Sequence, residues 1–378
     1  MIGLAAQRRA SGYPMVHLVI TGGLGFLGVQ AARRFLRSGL AWSPSMRCAA
    51  PIVRLTLFDA RPVPEDHLPE ELKADPRLQV ASGDITMPGV AAEVLDGAAY
   101  EGDVAVIHLA SMVSGNSETN PDAAWQVNVE GQRAVLDALR ECAPGARFLF
   151  TSSTAALGPV APGAPPPNDL TKLLPQNTYG FHKAVCELML NDYSRRGWVD
   201  GRGLRLPVIA VRPGAPNAAA TGAWSSVVRE PLNGQDCHIP IPADVPMPVA
   251  SYQTAVHAME LLMNEVPAEG LGADRVLMLP SLQLSPGELA EAAAALADEH
   301  GLPLGRVIEQ PEELPTRVVR SMGACVDGGR ALALGLPQDE SAESIVKSYA
   351  AEHVLERADD DGGPPPTSRW ASETTNYE

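Results

Sequence analysis

The sequence predicts an α/β protein on a doubly wound parallel sheet, followed by a smaller region. Three observations carry this. Short, continuously apolar runs alternate with helical stretches from residue 16 to residue 212. Strands covered on both faces by crossover helices read as such unbroken runs. A glycine-rich turn stands between the first run and the first helix, and acids and hydroxyls cluster at the carboxyl ends of later runs. Open parallel sheets place their ligands at that edge.

The elements follow in order. Residues 16–21 form the first strand and 26–38 the first helix. The second strand is 53–59 (VRLTLFD), after an insertion at 39–51 that carries Trp42 and two prolines. The third is 78–81, ending at Gly83-Asp84, and the fourth 104–110 (VAVIHLA). A long helix covers 123–142, the fifth strand is 147–152, a second long helix 179–196, and the sixth strand 206–212 (LPVIAVR). Residues 159–175 carry six prolines and read as a long loop, a kind usually functional when it sits in a compact domain. After Pro213 the composition shifts to Pro, Ala and Asn. A late strand is expected at 275–279 and a helix at 286–300 with Ser285 as N-cap. The organisation is thus an N-terminal extension (1–14), a Rossmann-type nucleotide-binding domain (15–213), a smaller substrate-binding region (214–357) and a disordered tail (358–378).

The net charge is −16. Phosphate backbones and anionic membranes both demand a basic face, so neither nucleic acid nor membrane is an expected partner. An anionic substrate would need positive charge supplied locally. The five cysteines (48, 142, 186, 237, 325) include no C-x-x-C pair, which argues against a disulfide framework or zinc ribbon and for a reducing, cytoplasmic setting. Arg8 and Arg9 follow the first apolar stretch, the reverse of a signal peptide. No cluster has metal-ligand spacing, so no metal is expected.

The chemistry-bearing motifs come next. In Thr21-Gly22-Gly23-Leu24-Gly25-Phe26-Leu27-Gly28, glycines 22, 25 and 28 permit a tight turn and close approach of a pyrophosphate to a helix N-terminus. Asp59, ending the second strand, suits the two ribose hydroxyls of adenosine and repels a 2′-phosphate, which favours NAD over NADP. It lies further from Gly28 than the usual ~20 residues, and the 39–51 insertion explains the excess. Asp84, ending the third strand, can accept a bond from an adenine amino group. Tyr179 and Lys183 share a helix face at i, i+4. Together with a positive nicotinamide ring, the ammonium would favour the phenolate, a general base toward a substrate hydroxyl. Ser153, in Thr151-Ser152-Ser153-Thr154 at the end of the fifth strand, can bond and polarise the reacting oxygen. Asn128, in the helix after the fourth strand, could support Lys183 through water. His108 reads as a satisfied core histidine, and His182 as a solvated helix residue with no role.

TGGLGFLG, the strand-two acid, GDIT, HLAS, FTSST, YGFHK and VRPG occur in that order over residues 15–213. So arranged, they resemble the extended short-chain dehydrogenase/reductase superfamily, the NAD-dependent epimerases and dehydratases. The resemblance implies Tyr179 as base, Lys183 as its support, Ser153 as polarising hydroxyl and Asn128 as a fourth catalytic member. It also implies Phe26, Leu27, Asp84, Ile85, Leu109, Ala110, Ser111 and Pro213 along the NAD. A narrower likeness, through LNDYSRRGWVDGRGLRLPVIAVRPGAPNAAATG and VVREPLNG, is to the D-erythronate dehydrogenase group, which oxidises the 2-hydroxyl of a four-carbon sugar acid. It makes Asn217 and Arg229 candidate substrate residues, Arg229 as a bidentate partner for a carboxylate. Homodimers are common in the superfamily, and a homodimer is expected here. The chain departs from that group at Ala215 and at Ala250-Ser251-Tyr252-Gln253, where relatives carry a Lys and a Ser-Pro-Arg step.

The expected function is NAD-dependent oxidation of a secondary alcohol on a small polyhydroxy acid. The alternatives are a nucleotide-sugar epimerase or dehydratase that retains its NAD, a reductase of a neutral ketone, and a non-catalytic NAD sensor.

Overall fold

The computed structural model describes residues 15–60, 68–95, 102–161, 163–214 and 221–355. The expected extension (1–14), the tail (358–378) and Asn217 lie outside the described residues. The strands are β1 Val16–Thr21, β2 Leu40–Ser43, β3 Cys48–Asp59, β4 Leu78–Ser82, β5 Asp103–His108, β6 Arg147–Ser153, β7 Asp200–Leu206, β8 Val208–Ala210, β9 Cys237–Ile239, β10 Met247–Ser251, β11 Val276–Met278, β12 Leu282–Leu284 and β13 Val307–Glu309. The main sheet runs β4-β3-β1-β5-β6-β7-β11, all parallel, with β2 antiparallel to the first half of β3. Strand order reverses between β1 and β5, the position at which doubly wound sheets bind ligands.

The expected elements through residue 196 are present, with boundaries shifted by one to a few residues. The first helix is Phe26–Ser38, stopped by Gly39 in the left-handed region. Residues 39–51 are a hairpin rather than an irregular insertion: β2 pairs with β3, and Trp42 covers the guanidinium of Arg147 at 3.5 Å. The long helix is continuous from Pro121 to Cys142 but carries a π turn at Gln126–Glu130. The helix Pro286–His300 starts at Ser285 with a full capping box.

The sixth strand needs correction. Of the apolar run 206–212, only Leu206 joins the main sheet. β7 is DGRGLRL, and β8 crosses to a small sheet beside β10 and β12. The β7 sequence looks like a loop because its arginines find their partners on other elements of the fold. Arg202 donates to the Leu262 carbonyl at 2.7 Å and to Asp200, and Arg205 pairs with Glu187. Its glycines are packing residues: a Cβ on Gly201 would lie 2.6 Å from Leu190 Cδ1, and one on Gly203 2.6 Å from Val276 Cγ2.

Two apolar layers cover the main sheet. Phe26–Ser38 and Tyr252–Asn264 lie on one face. Gly131–Cys142 and Thr178–Arg195 lie on the other. A third cluster, from Ala223–Leu232, Pro286–His300 and Ala342–Ala350, builds the second region. The division at residue 213 remains a proposal. The chain after 214 builds that region and also returns Tyr252–Asn264 and β11 to the main sheet.

Candidate active site

The glycine turn follows β1. Gly22 has φ +66°, and a Cβ there would stand 2.7 Å from the Ala110 nitrogen, so only glycine lets the turn after β5 cross it. Gly28 meets the Gly22 and Gly23 carbonyls in the same way, at 2.6 Å. Gly25 is different: it is exposed, and an added Cβ would find only the Gly22 oxygen, at 3.2 Å. It starts the helix with no side-chain cap, so the first-turn N–H groups from Phe26 onward face outward without a side chain on them. Asp59 stands alongside, its carboxylate accepting the Leu24 N–H at 3.2 Å and the Ala60 N–H at 2.8 Å. An anion-accepting helix start beside a ribose-binding acid fits a dinucleotide. Asp84 is exposed and accepts from Thr86 N and Oγ1, which shapes the turn after β4, and Ile85 is buried behind it.

On the far side of β5, Asn128 sits in the π turn, a distortion common at functional sites. Its Oδ1 accepts from Met112 N at 2.7 Å and Ser111 Oγ at 3.1 Å; its Nδ2 reaches the Met112 carbonyl and His182. Asn128 therefore fixes the turn of Leu109, Ala110 and Ser111. His182 corrects the expectation of a solvated residue: it is buried, edge-on to Trp125 and close to Asn128.

The helix Thr178–Arg195 is capped by Asn177, whose Oδ1 accepts the Gly180 N–H at 2.7 Å. It carries Tyr179 and Lys183 toward the end of β6. The Lys183 ammonium donates to the Thr151 carbonyl at 2.8 Å and lies 5.4 Å from the centre of the Tyr179 ring. Burial pulls it down to about 8, with Cys186 and Glu187 pulling the other way. Burial pushes the Tyr179 phenol up to about 12, opposed by its hydrogen bond with Ser153. The lowering expected from Lys183 does not act on the phenol here: burial dominates, and the chain's own groups leave it protonated at neutral pH. Ser153 also accepts from Ala155 N at 3.2 Å, so its oxygen is fixed at the strand end.

Sequence reasoning missed what holds this site from below. Ser152 donates to Glu187 at 2.5 Å, and Glu187, four residues beyond Lys183, takes both Arg205 bonds. The Y-x-x-x-K-x-x-x-E spacing was the available signal. His108 is a core residue, as expected, with Nδ1 2.7 Å from Thr21 Oγ1, but it is only half satisfied, since its buried Nε2 has no hydrogen-bond partner among the described residues. Burial first and Lys183 second drive it down to about 3. Arg229 is buried, bonded to the Arg212 carbonyl at 2.8 Å and paired with Glu230, behind Pro213.

The glycine turn, Asp59, Ser153, Tyr179 and Lys183 thus gather along one edge of the sheet. The sequence profile of the NAD dependent epimerase/dehydratase family matches residues 18–265. The chain belongs to that family. It is an NAD-dependent dehydrogenase of the extended short-chain type, with NAD as cofactor. It is 40% identical over 342 residues to a D-erythronate dehydrogenase of Cupriavidus necator, covering 90% of this chain and 99% of that one. A Haemophilus influenzae protein of the same name is 32% identical over 337 residues, covering 88% and 98%. Among solved structures, the nucleoside-diphosphate-sugar epimerase from Agrobacterium tumefaciens superposes with a TM-score of 0.76 at 32% identity, covering 91% of this chain and 96% of that one. Among the described residues, no helix is long and apolar enough to cross a membrane.

Proposed function

We propose that this dehydrogenase oxidises the 2-hydroxyl of a small polyhydroxy acid of the D-erythronate kind. The observation that carries it is the Ser153–Tyr179–Lys183 group beside the glycine turn, in a chain similar along nearly its whole length to D-erythronate dehydrogenases. NAD, when bound, would supply the hydride acceptor and a positive nicotinamide ring that adds to the field favouring a phenolate; Phe26, Leu27, Gly28, Asp59, Asp84, Leu109, Ala110 and Pro213 would hold it. Ser153 bonds the substrate hydroxyl and fixes its direction. Tyr179 takes the hydroxyl proton, and Lys183, tied to the Thr151 carbonyl, supplies the positive charge below the ring. Asn128 keeps the turn after β5 in place, and Asn217 is a candidate for the substrate side, whereas Arg229 has its charge met by Glu230.

The test is NADH absorbance with NAD and a panel of four- to six-carbon aldonates and neutral polyols. Turnover of an aldonate is expected. In Tyr179→Phe it should fall about 10²–10⁴-fold, with NAD affinity retained. No turnover, together with NAD that copurifies and releases no NADH, would refute the reading in favour of an epimerase. We also propose a cytoplasmic homodimer. The exposed Phe181 and Leu188 on the catalytic helix support an interface there, and light scattering would measure it.

A further inference from the structure

Asn128 ties down the turn after β5 from both sides of its amide. Its Oδ1 accepts the Met112 N–H at 2.7 Å and the Ser111 hydroxyl at 3.1 Å. A backbone N–H can only donate, so the oxygen is fixed on that side and the amide nitrogen faces the other way. Nδ2 then donates to the Met112 carbonyl at 3.3 Å and to His182 Nδ1 at 3.4 Å. The turn held in this way crosses the glycine turn closely: a Cβ on Gly22 would stand 2.7 Å from the Ala110 nitrogen. At such close packing a shift of one turn displaces the other.

A donor aimed at Nδ1 requires a bare nitrogen there, so the His182 ring is neutral and carries its proton on Nε2. The ring is enclosed: it is buried, edge-on to Trp125 at 5.6 Å and beside Phe181 at 5.6 Å. The charged groups that face it are Lys183 of its own helix and Glu118 of the helix Ser114–Thr119. The helix Pro121–Cys142 presents the uncharged Trp125 and Asn128. Burial first and Lys183 second hold the ring below its usual range, with Glu118 pulling the other way. A second proton would put an N–H on Nδ1. Two donors would then oppose each other in a buried space, beside an ammonium, and the amide of Asn128 would lose an acceptor.

We infer that His182 is a positioning residue for the dinucleotide site: its neutral Nδ1 holds the Asn128 amide, Asn128 holds the turn from Leu109 to Met112, and protonation of the ring releases that turn and weakens NAD binding. This rests on the placing of that turn along NAD in the reading above. The response is separate from that of Tyr179, because it acts on cofactor binding and not on the proton of the substrate hydroxyl.

The experiment titrates the full-length protein with NAD by fluorescence between pH 7.5 and pH 5.0, beside His182→Asn and His182→Leu, with circular dichroism showing that each is folded at each pH. Hydrogen exchange of the Met112 amide, corrected for its intrinsic pH dependence, is followed in parallel. The wild-type Kd should rise at least about threefold by pH 5.0, as the competent neutral form is depleted, and Met112 should lose protection. In His182→Asn the side-chain oxygen accepts in place of Nδ1 and does not titrate, so its Kd should be flat over the same range. His182→Leu has no acceptor and should bind NAD roughly 5- to 100-fold more weakly than the wild type at pH 7.5. A wild-type Kd that does not change with pH, or a His182→Asn variant that follows the wild-type curve, overturns the inference. With a flat wild-type Kd, Met112 exchange that still rises in the wild type alone places the fault in assigning the turn to NAD. Exchange that stays flat places it in the His182–Asn128 bond and leaves that assignment standing.

Discussion

Glu187 is the residue whose loss the structure prices most clearly. It is 2% exposed and accepts three bonds, from Arg205 Nε at 2.8 Å, Arg205 Nη2 at 2.7 Å and Ser152 Oγ at 2.5 Å. Arg205 is itself 3% exposed, and its next nearest carboxylate is Asp169, at 3.8 Å. Glu187→Ala therefore leaves a buried guanidinium almost without a counter-charge. Breaking a buried pair from one side costs about 3–5 kcal/mol, a large share of a total stability of roughly 5–15 kcal/mol. At a urea slope of about 3 kcal/mol/M the unfolding midpoint falls by about 1–2 M. Glu187→Met combined with Arg205→Met removes both charges and fills the space with apolar atoms. Because the desolvation of both ions is then recovered, its stability should return to within about 1 kcal/mol of the parent. Asp169 keeps the Met278 N–H and Arg330 in that variant. Urea unfolding at pH 7.5 followed by circular dichroism measures all three proteins. A single variant that loses less than about 1 kcal/mol, or a double variant as unstable as the single, would refute the argument.

Gly28→Ala forces a Cβ to 2.6 Å from two backbone carbonyl oxygens. The turn must open at a cost of about 1–3 kcal/mol, and NAD binding measured by fluorescence titration should weaken at least as steeply as the thermal midpoint falls. Asp59→Asn removes a charged acceptor beside Leu24. NAD affinity should drop roughly 10- to 100-fold, the equivalent of about 1.5–3 kcal/mol, and the preference against NADP should shrink; an unchanged cofactor preference would contradict the role given to the acid. His17 and His108 are both driven down to about 3, each by burial first, then by Arg54 and Lys183 respectively. Between pH 6.5 and 3 the unfolded chain binds protons that the folded chain does not, so stability rises with pH there. At pH 5 the two contribute about 2 kcal/mol of loss each relative to pH 7.5, and replacing both by Gln should flatten the urea midpoint against pH.

How much of this was legible depended on where each residue's partners lie. The glycine turn, Asp59, Ser153 and the Tyr179–Lys183 pair are local patterns, and the fold placed them together as their spacing implied. The capping box at Ser285 and the stop at Gly39 are local too. β7 was hidden because Arg202 and Arg205 find their partners on other elements, Leu262 and Glu187. No pattern within DGRGLRL announces them. The hairpin at β2 was masked by its two-proline neighbourhood, and Trp42 finds its purpose only over Arg147. His182 read as exposed because a histidine amid a helix usually is; Trp125 and Asn128, more than 50 residues earlier in the chain, enclose it.

The anchoring of Asp169 has a consequence for how the chain is made. This residue belongs to the proline-rich stretch beside Tyr179, yet it is held by the Met278 N–H, 109 residues later, and by Arg330, 161 residues later. At about 5–20 residues per second, a ribosome needs roughly 5–20 s to deliver the first of these after Asp169 itself. During that interval the growing chain, already carrying the glycine turn and Asp59, adds Tyr179 and then β7, whose edge waits for β11. The proline-rich stretch around Asp169 therefore gains these anchors only after the helix Tyr252–Asn264 and β11 have been made.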